Sequence, residues 1–405
     1  PVVRTPHIDA LAARGTLFPN HFVTTSICCV SRASIFTGQY ARRHHINDFS
    51  TPLTPEALAR TYPALLRAAG YRTGFIGKYG VGNVMPVKAF DYWRGFPGQG
   101  RYFEPGAAEH LTARLGDQAL EFLSGCDGTR PFCLSVSFKA PHCQDGARRE
   151  FPPDPRDASL YAGVTIPVPR SATEAAFRKL PDFVQHSEAR KRWQRRFATP
   201  ELFQQSVRDY LRLVTGVDRE VGRIVDALRK AKLDGNTLVV FTSDNGFFYG
   251  EHGLAGKWFM YEESIRVPLI VVDPRAPEGA RGRKVEAMTL NIDLAPTLLD
   301  YAGVAVAPAM QGRSLRPLVR GEHPAWRTDW FYEHHTLPKI LPPSEGVRTE
   351  RWAYLRWTGP EPAVEELYDL RADPLEEHSL AAAAGHRETL TRLRARWAEL
   401  RKALE

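Results

Sequence analysis

Residues 237–246 read Thr-Leu-Val-Val-Phe-Thr-Ser-Asp-Asn-Gly, a short apolar run that stops abruptly at a carboxylate, an amide and a glycine. A run of this kind is a buried strand of an open α/β sheet, and its end is delivered to the sheet edge, where such sheets bind ligands. A long amphipathic helix precedes it, marked by Val207, Leu211, Val214, Val221, Ile224, Val225 and Leu228. Strand-like runs alternate with helical patterns along most of the chain, as α/β folds require. Tyr62 to Ala69 is a further helix, with Pro63 in its first turn and Gly70 past its end. Val267 to Val272 reads as another buried strand, and Asn291 to Gly303 as a helix closed by Gly303.

The chemistry concentrates in a few segments. Ser-Ile-Cys-Cys-Val-Ser-Arg-Ala-Ser-Ile-Phe-Thr-Gly at 26–38 places Cys28 four residues before Arg32, where a turn opens into a short helix ended by Gly38. Positions i and i+4 share a helix face. A helix N-terminus adds unpaired N–H groups and a positive dipole end, so thiol, guanidinium and backbone donors can converge on a tetrahedral anion. A buried, inert Cys pair is the competing reading. Asp244 and Asn245 offer two hard oxygens that suit Ca²⁺ or Mg²⁺, although Asp-Asn-Gly is also ordinary turn chemistry. Phe132 to His142 is a strand-like run closing on Ala-Pro-His, which makes His142 a candidate for proton transfer. Gly74-Phe-Ile-Gly-Lys-Tyr-Gly-Val-Gly82 leads a strand into a glycine-rich turn carrying Lys78.

With Tyr249-Gly-Glu-His-Gly-Leu-Ala-Gly-Lys257, Tyr261 to Pro268 and Thr5 to Gly15, these segments resemble the type I, formylglycine-dependent sulfatases of the alkaline phosphatase superfamily. The resemblance runs in order along nearly the whole chain. It implies an alkaline-phosphatase-like fold: a central, mostly parallel sheet flanked by helices over 1–320, and a smaller antiparallel sheet-plus-helix subdomain over 321–405. The implied activity is hydrolysis of a sulfuric ester, with a sulfated carbohydrate the expected substrate. Cys28 would be converted to formylglycine by the formylglycine-generating enzyme. Arg32, Lys78 and Lys257 would hold sulfate oxygens, and His142 would protonate the departing alcohol. Ca²⁺, or Mg²⁺, would sit on Asp244, Asn245 and the modified Cys28. His252, His334 and His335 are expected on the substrate side, with Glu251 and Glu333 nearby, and the family setting implies an extracytoplasmic location.

Three departures stand out. Val30 replaces the usual proline of the signature, and Gly80 replaces a histidine that helps release sulfate, a task for which His44 and His45 are alternatives. The Asp-Asp strand that precedes a Thr-Pro-Asn-Ile-Asp-like segment is missing here, so the sequence is expected to be a fragment. A phosphonate or phosphodiester hydrolase of the same superfamily, and a catalytically silent sulfoglycan-binding relative, remain the competing functions.

Composition adds limits. The net charge of +8 fits an anionic substrate, while no recognised module supports a nucleic-acid partner, and the run Arg190 to Arg196 reads as a solvated helix face. No apolar run reaches 18 residues, so no membrane span is expected. Five cysteines show no metal-ligand spacing and imply no disulfide framework. Residues 144–199 are Pro-rich and charged, a long excursion over the substrate face. Beyond 320, short strands and a last helix with Leu390, Leu393, Trp397 and Leu400 on one face change the character of the chain.

Overall fold

The computed structural model describes residues 2–404. Arg72–Lys78 is the middle of three parallel strands, between Tyr92–Phe96 and Phe132–Ser137. Parallel neighbours need a crossover. The helix Leu111–Ser124 supplies one, burying Leu115, Ala119 and Phe122 against the sheet. A second sheet runs in the order Arg283–Lys284, Thr16–Leu17, Leu269–Val272, Val239–Thr242. It is mixed, because Leu269–Val272 lies antiparallel to both its neighbours. The strand expected over 267–272 is interrupted at Pro268, which has no N–H to donate, and Arg266–Val267 pairs instead with His21–Phe22.

The long amphipathic helix is Pro200–Lys230; Thr199 accepts from the N–H of Leu202 at its start, and Pro200 occupies the position where a missing N–H costs nothing. Phe203, Val207, Leu213, Val217 and Leu228 are buried on its inner face. The helix expected at 62–69 is Tyr62–Ala68, and that expected at 291–303 is a 3₁₀ turn, Asn291–Asp293, continuing into Leu294–Tyr301. Gly303 then takes a left-handed φ of 68°, a conformation that favours glycine past a helix end. The excursion at 144–199 carries three short helices, Glu174–Lys179, Asp182–Gln185 and Glu188–Arg196.

Asp329–His334, Ser344–Thr349, Trp352–Trp357 and Val364–Asp369 form an antiparallel meander, which the helix Arg387–Ala403 covers with Leu390 and Leu393. The expected arrangement of an α/β body with a C-terminal sheet and helix is therefore present. Its core does not stop at residue 320: Phe22, Trp258 and Phe259 share one cluster with Trp330, Tyr332 and Trp357. All five cysteines are free thiols. No helix among the described residues is long and apolar enough to cross a membrane.

Candidate active site

Cys28 opens the helix Cys28–Thr37, which ends where Gly38 turns left-handed at φ 66°. The Cys28 thiol is sealed at 1% exposure, and Lys257 Nζ donates to its sulfur at 3.2 Å. One turn on, Arg32 binds the ends of three strands together. Its Nε donates to Asp244 Oδ2 at 2.7 Å, and its Nη1 donates to the carbonyl of Lys78 at 2.6 Å and to Ser137 Oγ. The strands Phe132–Ser137 and Val239–Thr242 each end their sheet, and both thus deliver their C-terminal ends to one guanidinium. Lys78, also buried, donates from Nζ to Gln99 Oε1 at 2.6 Å.

These groups set each other's charge. Burial alone would raise the Cys28 thiol, but Lys257 and Lys78 outweigh it and hold the thiol below its ordinary value. Burial likewise disfavours the Asp244 carboxylate, and Arg32, Lys78 and Lys257 reverse the effect and keep it ionised. Lys78 is lowered by burial, with Cys28 opposing. The result is a buried group of cations around one sulfur, suited to negative charge.

His142 sits in a tight turn in which its own N–H donates to the carbonyl of Lys139 at 2.9 Å. Its Nδ1 lies 2.7 Å from the carbonyl of Cys143, an acceptor, so Nδ1 carries the proton and Nε2 is the free nitrogen. Burial, then Lys257, Lys78 and Lys139, hold the imidazole neutral far below its usual range.

The donors at the end of Val239–Thr242 fit a hard cation in kind. Asn245 Nδ2 donates to the carbonyl of Gly246 at 2.9 Å, and its Oδ1 is buried without a partner among the described residues. With Asp244 this makes two oxygens, a partial shell for Ca²⁺, which takes roughly six to eight. Among the described residues no group of three or more His, Cys, Asp or Glu side chains is arranged to hold a metal.

Other expected residues lie elsewhere. His252 is buried against the Tyr261 ring at 5.1 Å, with Nε2 3.9 Å from Glu263 Oε2 rather than beside Cys28. Glu251 accepts from the N–H of Tyr249. His334 is buried on the meander with no partner among the described residues for either ring nitrogen, and His335 lies 3.2 Å from Glu345. Glu333 is held by Arg42. Among the described residues no hydrogen bond or ion pair joins these three histidines to Cys28, Arg32, Lys78 or Lys257. His44, offered as a substitute for the histidine missing at 80, has both nitrogens engaged: Nδ1 accepts from the N–H of Ile46, so Nε2 donates to Ser34. Position 80 itself has no room, because Gly80 lies at φ 74° and a Cβ there would meet Arg32 Cδ at 2.7 Å.

Several groups at the site were not singled out from sequence. Gln99 meets Lys78, and Ser137 meets Arg32. Lys139 is buried, with Nζ donating to the carbonyl of Cys143 at 3.1 Å, and burial with Lys78 nearby pulls it down to about 8. Lys139 stands three residues before His142 in the same segment, which is the signal that could have found it. The run at 190–196 is a solvated face only in part: Lys191, Gln194 and Arg195 are exposed, while the others pack inward. Arg196 is 1% exposed, and Arg190 lies over the rings of Phe177 and Trp193.

The model of the Sulfatase family matches residues 1–304, and that of the N-sulphoglucosamine sulphohydrolase C-terminal family matches 250–403. The chain is 30% identical to an N-acetylglucosamine-6-O-sulfatase of Bacteroides thetaiotaomicron, over 95% of this chain and 79% of that protein. It is 29% identical to a choline-sulfatase of Rhizobium meliloti, over 94% and 78%. The solved structure of BT4656 in complex with its substrate D-glucosamine-2-N,6-O-disulfate superposes with TM-score 0.84 at 28% identity, covering 100% of this chain and 93% of that one. A phosphonate monoester hydrolase of Agrobacterium radiobacter superposes equally well, TM-score 0.84 over 100% and 92%, but at 24% identity that likeness is one of fold.

Proposed function

The chain belongs to the sulfatase family, whose members have the alkaline-phosphatase-like fold, and from that premise we propose that it hydrolyses the sulfate ester of a carbohydrate through a nucleophile made from Cys28. One observation carries the reading: the sealed Cys28 thiol lies 3.2 Å from Lys257 Nζ and is lowered by Lys257, Lys78 and Arg32 together. Converted to formylglycine, residue 28 would supply an aldehyde-hydrate oxygen able to attack sulfur, and Ca²⁺ or Mg²⁺ on Asp244 and Asn245 would add Lewis acidity at the sulfate.

The chain's own residues do the rest. Lys257 and Lys78 offer ammonium groups to sulfate oxygens, and their charge matters most as negative charge builds in the transition state. Lys78 leaves Gln99 when an anion arrives. Arg32 keeps Asp244 ionised and fixes the three strand ends that shape the pocket. With Nδ1–H tied to the Cys143 carbonyl, His142 Nε2 takes up the proton given off by the nucleophile and passes it to the departing alcohol oxygen. The N-acetylglucosamine-6-O-sulfatase and the glucosamine disulfate complex support an amino-sugar sulfate as the first substrate to test. Maturation by a formylglycine-generating enzyme and an extracytoplasmic location belong to the same reading, which a Drosophila melanogaster relative named as an extracellular sulfatase supports.

The test is turnover of glucosamine 6-O-sulfate and of matched aryl sulfate and aryl phosphonate esters, with peptide mass spectrometry at Cys28. Desulfation with a converted Cys28, lost in Cys28→Ala while the fold is kept, is the expected result. Faster phosphonate cleavage would favour the superfamily relative, and an unconverted thiol in protein from its native host would favour a silent binder.

A further inference from the structure

Beside His142 lies a polar cluster, buried except for Asp145 at its rim, which the steps above use only through one carbonyl. Cys143 is at its centre. The Cys143 carbonyl accepts from His142 Nδ1 at 2.7 Å and from Lys139 Nζ at 3.1 Å. Its thiol donates to Asp145 Oδ1 at 3.3 Å and receives Arg196 Nη2 at 3.1 Å. Arg196 comes from the short helix Glu188–Arg196, far along the excursion. It also donates from Nη2 to Asp145 Oδ1 at 2.6 Å and from Nε to Glu150 Oε2 at 2.5 Å. A second arginine, Arg192, donates from Nη1 to Asp145 and lies over the Trp258 ring at 5.0 Å, next to Lys257 in the chain. The carbonyl of His142 is held separately by the hydroxyl of Tyr102 at 2.6 Å.

We infer that Arg196 is a positioning residue for His142, acting through Cys143 and Asp145, and that it sets the protonation of the leaving alcohol. This rests on the sulfatase reading of the site. The imidazole is anchored at Nδ1 on Cys143, by a hydrogen bond to its carbonyl at 2.7 Å and a longer contact with its sulfur at 3.7 Å, so its place depends on how that residue is held. Cys143 is fixed from the other side by Arg196. A guanidinium can serve two carboxylates and a thiol in different directions at once, whereas an ammonium is a point charge without that planar fork. Loss of Arg196 leaves the Glu150 carboxylate without this partner and the Cys143 side chain on Asp145 alone, so the peptide is held only at its carbonyl, by Lys139, and Nε2 keeps its place at the bridging oxygen less well.

The prediction has a signature that general disruption would not produce. Protonation by His142 matters for a poor leaving group such as a sugar alkoxide, and hardly at all for 4-nitrophenolate, which departs as a stable anion. The experiment compares kcat for glucosamine 6-O-sulfate and 4-nitrophenyl sulfate in the converted, metal-loaded enzyme, for the unaltered chain, Arg196→Lys and Cys143→Ala. Arg196→Lys should lose about tenfold or more on the sugar ester, a fraction of the roughly 10²–10⁴ that general acid catalysis supplies. It should keep its rate on the nitrophenyl ester within about threefold, and the pH dependence of kcat for the sugar ester should shift. Cys143→Ala, which removes the thiol without emptying a charged site, should show the same selectivity to a smaller degree and guards against misfolding of the arginine variant. Equal losses on both esters, or no loss on the sugar ester in either variant, would overturn the inference. Failure of the unaltered enzyme to turn over either ester would overturn the sulfatase reading and the inference with it.

Discussion

A thiol sealed at 1% exposure, with one ammonium group 3.2 Å away, answers to that group before any other. Lys257 heads the cations that lower the Cys28 thiol and is among those that hold Asp244 ionised. Lys257→Ala should therefore cut kcat/KM for the sugar sulfate by about 10²–10³, the scale of losing one preorganised donor to a developing charge, while the melting temperature changes little. Steady-state kinetics beside a thermal melt check both. Gly80 gives a prediction of the opposite kind. Its left-handed backbone costs any L-residue about 1–2 kcal/mol, and a new Cβ would push on Arg32, so Gly80→Ala should lower both stability and turnover. Retained activity in that variant would show that Arg32 can move without harm. The position that carries histidine in related signatures is, in this chain, one that no side chain can occupy without displacing the signature arginine.

At the scale of elements, the segment from Tyr249 to Ser264 buries carboxyl groups against the C-terminal subdomain. Burial, then neighbouring Glu251, pushes Glu263 up to about 8, and burial pushes Glu251 up to about 7. Glu376, from the subdomain, accepts from the N–H of Glu262 at 2.8 Å and is itself raised by burial and by Glu262. Below the unfolded carboxyl value both states are protonated and these groups have no effect. As pH rises towards 8 the unfolded chain ionises first, binds fewer protons than the native state, and stability falls. Glu263→Gln should thus melt like the parent near pH 4 and increasingly above it between pH 5 and 8, as differential scanning at stepped pH would record.

Elements were also where the sequence was most and least informative. Cys28 and Arg32 needed only the helical repeat to be placed on one face, and the apolar run before Asp244 needed only its length and its abrupt end. Arg196 could not be found that way. A helix of alternating arginines looks the same whether it faces water or carboxylates, and Asp145 and Glu150, which decide the matter, lie some 50 residues back along an irregular path. Gln99 is hidden for the same reason, since nothing local in Pro-Gly-Gln-Gly tells that its side chain meets Lys78. His252 and His334 show the converse: resemblance marked them, but whether an imidazole faces a pocket or a packed ring depends on neighbours contributed by distant segments.

For the whole molecule, the division near residue 320 is one of topology and not of packing. Tyr332, on the first strand of the C-terminal sheet, donates to the carbonyl of Trp258 at 2.5 Å and accepts from the N–H of Ser26 at 3.4 Å. These positions lie two residues from Cys28 and one from Lys257 along the chain. Phe22 and Trp330 meet at 5.3 Å in the same cluster. A body and subdomain so joined should unfold together, and calorimetry should give one transition. Tyr332→Phe should lower stability by about 0.5–1.5 kcal/mol for the lost hydrogen bond. Because that bond steadies the turn carrying Lys257, it should also reduce kcat. Two separate transitions would show that the subdomain folds independently.

The absence of any cystine bridge makes sulfhydryl stoichiometry a direct gauge of maturation. Every cysteine is present as a free thiol, so a chain unfolded in denaturant should titrate five equivalents with a colorimetric reagent if residue 28 is untouched, and five less one, four, if it has been converted. Intermediate values would give the processed fraction of a preparation without substrate, antibody or digestion. Specific activity could then be expressed per processed molecule, and batches from different expression hosts compared on one scale.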